Sequence, residues 1–160
     1  MSAFQIRELN KNDKDWVIEL LTEHWGSARV VSRGRVHQAD ALPGFVAIHG
    51  CKPAGLITYN IEGKECEITT MNSIVEKMGI GTALIDTMKA VAGEKGCKRL
   101  WLITTNDNTH ALRFYQKYGF KISAIHVNAI EQSRKIKPEI PLTGNDDIPI
   151  RDEIELEMMI

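Results

Sequence analysis

Two spacings of apolar residues alternate along this chain. Phe4-Gln5-Ile6-Arg7 switches between apolar and polar at every step, the period of a half-buried strand. Val17, Leu20, Leu21 and His24 then share one helical face, and Asp13 or Asp15 stands where a helix cap is needed. Residues 26–42 have no clear period and are rich in arginine, so they read as a loop that admits a short helix. Two strands follow, Gly44–His49 and Ala54–Ile61, joined by a turn at Gly50-Cys51-Lys52-Pro53. After a second turn, Glu62-Gly63-Lys64, comes a strand over Glu65–Asn72. Its alternation sets Cys66, Ile68 and Thr70 on one side and Glu65, Glu67 and Thr69 on the other. Three strands joined by short turns predict an antiparallel meander.

Beyond this point the spacing lengthens. Ile80, Ala83, Leu84, Thr87, Met88 and Val91 recur at helical intervals, and Gly93 and Gly96 bracket the end of that helix. Arg99–Thr105 reads as a buried strand, with Trp101 in its core. Asn108 opens a short amphipathic helix that carries Ala111, Leu112 and Tyr115 on one face and stops at Gly119. Phe120–His126 is a strand, and Ile154, Leu156 and Met158 alternate with Glu153, Glu155 and Glu157 in a last one. Between these two, a helical turn around Ile130–Ser133 precedes a proline-rich loop. The elements predict a mixed α/β sheet flanked by helices, because a helical crossover makes the strands it joins parallel.

Composition narrows the class without naming a function. The 160 residues, 43% apolar and 26% charged, suit one soluble globular domain spanning 1–160. Twenty Lys+Arg against 21 Asp+Glu leave no basic excess, so no nucleic-acid partner is expected. Cys51, Cys66 and Cys97 are odd in number and widely spaced, which predicts buried or half-buried free thiols in a reducing cytoplasm. The five histidines have no ligand spacing, so no metal is expected. The polar N-terminus and the lack of a long apolar run predict neither signal peptide nor membrane span.

The chemistry is concentrated after the third strand of the meander. Gly79-Ile80-Gly81-Thr82 sits between a strand and a helix, where two glycines admit a ligand to the backbone and the helix N-terminus attracts an anion. Position 84 is Leu84, not the glycine of a dinucleotide fingerprint, and no Gly-Lys-Ser/Thr follows to make a Walker loop. Downstream lie Thr105-Asn106 at a strand end and Asn108-Thr109-His110-Ala111-Leu112-Arg113-Phe114-Tyr115-Gln116-Lys117-Tyr118-Gly119-Phe120. Together, G-x-G-T-A-L-I and N-x-x-A-x-x-F-Y-x-K-x-G-F resemble the Gcn5-related N-acetyltransferase (GNAT) superfamily.

That resemblance implies a sheet of about seven strands that splays between the fourth and fifth, Glu65–Asn72 and Arg99–Thr105. It implies acetyl-CoA as cosubstrate in the gap. The pyrophosphate is then expected on the backbone at Met78, Gly79, Gly81 and Thr82, and the pantetheine arm along Met71 and Ser73. Asn108 matches the asparagine that contacts the arm, and Tyr115 the tyrosine that faces the sulfur. One departure is Glu76, where the family pattern has Gln or Arg; Lys77 is the nearby compensating charge.

Acetyl transfer to an amine needs a base, an oxyanion donor and an acid for the departing thiolate. Tyr115 is the candidate acid, Glu67 the candidate base, and the Met71 N–H the candidate oxyanion donor. A glutamate on a central strand is costly to bury without a role, and burial raises its pKa toward a useful range. On the acceptor side, Trp25 follows a helix and precedes Gly26-Ser27, and Arg29, Arg33 and Arg35 crowd the next segment. Those arginines suggest an acceptor with an anionic group beside its amine. The expectation is an N-acetyltransferase for a small-molecule or peptide amine; the alternative is a non-catalytic acyl-CoA sensor of the same fold. A homodimer is compatible with the sequence.

Overall fold

The computed structural model describes residues 3–74 and 78–160, with Trp25 described by its backbone alone. Nine strands and four α-helices follow one another. They are β1 (Gln5–Glu8), α1 (Lys14–Trp25), β2 (Arg29–Ser32), β3 (Arg35–Gln38), β4 (Gly44–His49), β5 (Lys52–Glu62) and β6 (Glu65–Ser73). Then come α2 (Ile80–Glu94), β7 (Arg99–Thr105), α3 (Thr109–Tyr118), β8 (Lys121–His126), α4 (Ala129–Ile136) and β9 (Glu153–Met159). Seven strands form one sheet in the order β1-β4-β5-β6-β7-β9-β8, and β2 and β3 form a separate hairpin. Every neighbouring pair in the large sheet is antiparallel except β6 and β7, which α2 joins by a crossover.

The expected elements are present, with two changes. The segment read as a loop contains the β2–β3 hairpin, turned by Arg33 (φ 53°) and Gly34 (φ 74°). Its signal is weak because the face it buries carries Ser32 and His37 as well as Val30, so apolar alternation is nearly absent. The helical turn at Ile130–Ser133 is longer than expected and runs from Ala129 to Ile136. The thiols are free as expected, but Cys51 is exposed in its turn while Cys66 and Cys97 are buried.

The sheet separates two apolar layers. On one side α2 buries Ile80, Leu84, Ile85, Met88 and Ala92 against Ile57, Ile68, Leu100, Leu102 and Leu156. On the other, Val17, Leu20 and Leu21 of α1 pack on Ala28, Val30, Ala39 and Leu56. The start of α1 is held by Asp13, which accepts two bonds from the Arg7 guanidinium at 2.8 and 2.9 Å and one from Trp16 Nε1. Among the described residues no helix is long and apolar enough to cross a membrane.

One irregularity determines the geometry of the centre. Thr58 of β5 pairs with Thr70, yet the next residue, Tyr59, pairs with Ile68, so Thr69 is an extra residue in β6. This bulge is held by the buried Thr58 hydroxyl, which lies 2.7 Å from Thr69 Oγ1 and 2.6 Å from Thr70 Oγ1. An extra residue increases local twist and reverses which side later residues face. β6 and β7 pair over Glu65–Ile68 and Arg99–Leu102 and then separate, while β5 stays paired with β6 through Ser73 and β9 with β7 through Thr105. The expected splay therefore begins at the bulge. Thr58→Val, which leaves two buried hydroxyls without their shared partner, should lower unfolding free energy by about 1–3 kcal/mol. Urea titration with an unchanged slope would measure it.

Candidate active site

The gap is flanked by two helix starts. Gly79 ends the approach to α2 at φ 77°, a left-handed conformation, and no side chain caps the helix. The first N–H groups of a helix have no acceptor within it, so this end presents donors and positive potential together. A Cβ on Gly79 would meet open space, so glycine is required there by backbone conformation alone. Gly81 differs: a Cβ would lie 3.2 Å from Phe114 Cζ and 3.7 Å from Met71 Cε, so its smallness also lets α2 and α3 approach. Thr82 is exposed in the first turn, and Met78 is partly buried against the core. Val75, Glu76 and Lys77 lie outside the described residues, and with them the departure at Glu76 and its compensation by Lys77.

Asn108 stands at the other start. Its side-chain oxygen accepts the Ala111 N–H at 3.1 Å, so it caps α3. Asp107 braces the loop around it, accepting from Thr105 Oγ1 at 2.5 Å and from the Asn145 backbone and side chain. On α3, Tyr115 is buried edge-on to Phe114 and Phe120. Its hydroxyl reaches Met71 Sδ at 4.0 Å, and burial raises the phenol above its ordinary pKa. The bulge brings Met71 to this side, which plain alternation from Ile68 would not. Met71 and Ser73 lie on the part of β6 beyond its pairing with β7.

Glu67 faces the hairpin, on the other side of the sheet. It is buried beneath Ser32 and His37, with His37 Nε2 at 3.3 Å from its Oε1. Burial pushes the carboxyl up to about 7, against the pull of the Ser32 hydroxyl and the Arg35 and Arg33 charges. Burial and Arg35 lower His37, which keeps the ring neutral. Among the described residues, Glu153 Oε1 is buried here without a hydrogen-bond partner. A cavity of about 150 Å³ opens beside them, lined by Arg33, Asn60, Glu62, Glu65, Glu67 and Trp101.

The arginines of the expected acceptor segment already have partners. Arg29 donates to the Ile136 carbonyl at 2.7 Å, and Arg35 pairs with Glu62. The Arg33 backbone donates to Glu153 Oε2 at 3.3 Å, and its guanidinium lies 3.4 Å from Glu155 Oε1 and over the Trp101 ring. The Trp25 side chain, expected against the acceptor, lies outside the described residues. Trp101 is not the core residue its apolar strand suggested: it is half-buried on the polar face, with Arg99 also over its ring at 5.3 Å. Arg99 in turn binds Glu65, Glu155 and Glu157 at 2.7, 2.5 and 2.8 Å. Burial alone would raise Glu155, but Arg99, His126 and Arg33 bring it below the ordinary carboxylate value. Sequence reading missed His37, Ser32, Arg99 and the β9 glutamates as parts of the site. The visible signal was Glu153, Glu155 and Glu157 on one side of a strand, an acidic row that a sheet interior must neutralise.

A mixed sheet opened between its fourth and fifth strands, with an uncapped helix start at the opening, is the architecture of acyl-CoA-dependent acyltransferases. Residues 7–120 match the Acetyltransferase (GNAT) family. The chain belongs to this family, whose chemistry is acyl transfer from acyl-CoA. It is 44% identical over 144 residues to an uncharacterized protein, YxbD, of Bacillus subtilis (strain 168), covering 89% of this chain and 91% of that one. A second protein of that organism, YdhI, also uncharacterized, is 40% identical over 152 residues, covering 94% and 95%. Among solved structures, the fold is shared with an IAA acetyltransferase from Bacillus cereus ATCC 14579 (TM-score 0.76, 22% identity, 98% and 99% covered). It is also shared with a GNAT family acetyltransferase from Elizabethkingia anophelis with acetyl-CoA bound (TM-score 0.72, 20% identity, 100% of both covered).

The Glu67 carboxyl gives a prediction about stability. The unfolded chain releases this proton near the ordinary carboxylate value of 4.5, whereas the folded chain holds it to about 7. The native state binds the extra proton between those values, so this group's contribution to stability falls as pH rises through that window. Glu67→Gln removes the penalty. The variant should match the wild type at pH ~4.5 and exceed it above pH ~7 by an amount on the order of 2–3 kcal/mol. Thermal melts of both proteins across this range would read the difference.

Proposed function

We propose that this protein is an acetyl-CoA-dependent N-acetyltransferase for a primary amine of a small molecule or peptide, with Glu67 as base and Tyr115 as acid. The observation that carries the reading is Glu67. A buried carboxyl, pushed up to about 7 by burial, stands on β6 just before the strands part and lines the cavity beside Trp101. Acetyl-CoA supplies the thioester carbon that the acceptor nitrogen attacks.

The chain's own groups do the rest. The uncapped start of α2, from Gly79 through Thr82, holds the pyrophosphate on backbone N–H groups, and Met78 packs beneath it. Met71 and Ser73 offer backbone to the pantetheine arm, and the Met71 N–H meets the developing oxyanion. Asn108, its oxygen committed to the α3 cap, presents its amide group to the arm. Glu67 takes the proton of the acceptor ammonium. Met71 lies four positions further along β6, roughly 13 Å at ~3.3 Å per residue, so the proton travels through water. Tyr115, beside Met71, donates its hydroxyl proton to the departing thiolate; its raised pKa keeps it protonated until then.

Two variants test this with acetyl-CoA, a panel of primary amines and detection of released thiol. For wild type, kcat/KM should rise with pH through about 7 as Glu67 ionises, and Glu67→Gln should abolish that limb with a loss of about 10²-fold at pH ~8. Tyr115→Phe should lower kcat about 10²-fold with little change in acetyl-CoA affinity. Tight binding of acetyl-CoA with no transfer to any amine would favour a sensor instead.

Thr82→Asp separates cofactor binding from folding. A carboxylate in the first turn of α2 should stabilise the helix by about 0.3–1 kcal/mol. It should also repel the pyrophosphate and weaken acetyl-CoA binding at least tenfold, about 1.4 kcal/mol. Calorimetry beside a thermal melt would show the two effects with opposite sign.

A further inference from the structure

Among the described residues, the polar face of the sheet carries more carboxylates than arginines. Glu62, Glu65, Glu67, Glu153, Glu155 and Glu157 are met by Arg33, Arg35 and Arg99, and His126 Nε2 lies 3.0 Å from Glu155 Oε1. Arg99 is fixed: three carboxylates hold it and its side chain is 16% exposed. Arg33 is not. It stands at the tip of a two-residue hairpin turn, its side chain is half exposed, and one carboxylate at 3.4 Å holds its guanidinium over Trp101. A cation over an indole face with a carboxylate beside it is a receptor for organic cations. A nearby polar group is also unsatisfied: Glu153 is 1% exposed with Oε1 unpartnered. Ser32 and His37 flank Glu67, which lines the cavity.

We propose that the acceptor carries a second cationic group besides the amine that is acetylated, and that this group binds over Trp101 against Glu155 in the place held by the Arg33 guanidinium. The inference rests on the reading that Glu67 marks the acceptor side. It reverses the anionic acceptor that the arginines alone suggested, because Arg33 and Arg35 are already paired with carboxylates. Arg33 acts as a tethered stand-in that closes the receptor until the acceptor's own cation displaces it.

The test uses three probes of equal length: pentylamine, its ω-amino derivative and its ω-carboxy derivative. The ω-amino probe should have kcat/KM at least tenfold above pentylamine, and the ω-carboxy probe should fall below it. Trp101→Leu should bring the amino-to-pentyl ratio to within about twofold. Arg33→Asn, whose asparagine tolerates the positive φ, should lower KM for the ω-amino probe about threefold by removing the competing cation. Calorimetry on the CoA-loaded protein reads binding of the same probes without turnover. Acetylation of pentylamine with a ratio near one, or a carboxylate preference, overturns the inference and leaves the transferase reading standing. A ratio that survives Trp101→Leu, or an unchanged KM in Arg33→Asn, also overturns it. No turnover of any probe removes the catalytic reading and the inference with it, whereas the outcomes above overturn the inference alone.

Discussion

The structure depends on one residue too many in β6. Thr69 has no partner across from it, and the Thr58 hydroxyl holds both threonines of the bulge within 2.7 Å. Because strand side chains alternate, one extra residue changes the side on which everything after it lies. Before the bulge, Cys66 and Ile68 point into the α2 core and Glu67 points to the hairpin. After it, Met71 lies beside Tyr115. The same extra twist ends the pairing of β6 with β7 at Ile68 and opens the gap between helix starts. Glu67 on one side and Tyr115 on the other, with an opening between them, follow from a single insertion in the ladder.

The polar side of the sheet shows how such a site is kept folded. A row of glutamates on β9 would destabilise any sheet interior if left alone. Arg99 collects Glu65, Glu155 and Glu157, and its guanidinium and that of Arg33 lie over Trp101. Glu67 and Glu153 remain without a full ion pair, and burial raises both. Charge is thus neutralised at the edge of this face and left unmatched near its centre.

The family relationship and the geometry support each other at different levels. Membership rests on the match over residues 7–120 and establishes acyl-CoA chemistry. It does not choose an acceptor, because function resides in the groups built onto a fold. The hairpin between α1 and β4 lays Ser32 and His37 over Glu67 and Arg33 over Trp101. That polar face and the opening between β6 and β7 are built from separate pieces of chain, one from residues 29–38 and one from β6 through α3.

How much of this was legible can be argued element by element. Helix α2 and its glycine-opened start, the α3 cap at Asn108 and the stop at Gly119 depend on neighbouring residues, and local sequence determined them. Period and turn residues placed seven strands, and the resemblance to the acetyltransferase superfamily singled out Glu67 and Tyr115. The hairpin was not legible, because its buried face trades apolar residues for Ser32 and His37 and so loses the periodic signal. Nor was the place of β9: Leu156 pairs with Leu102 and with Ile122, so the last strand slips between β7 and β8 rather than beside its predecessor alone. That choice brings Glu155 to Arg99 and turns Trp101 from an apolar core residue into the ring beneath two guanidiniums. Propensity and period act over a few residues, so the sequence by itself determined the elements and the candidate chemistry. Register, strand order and the meeting of charges arise between residues far apart in the chain, and only the tertiary structure decided them.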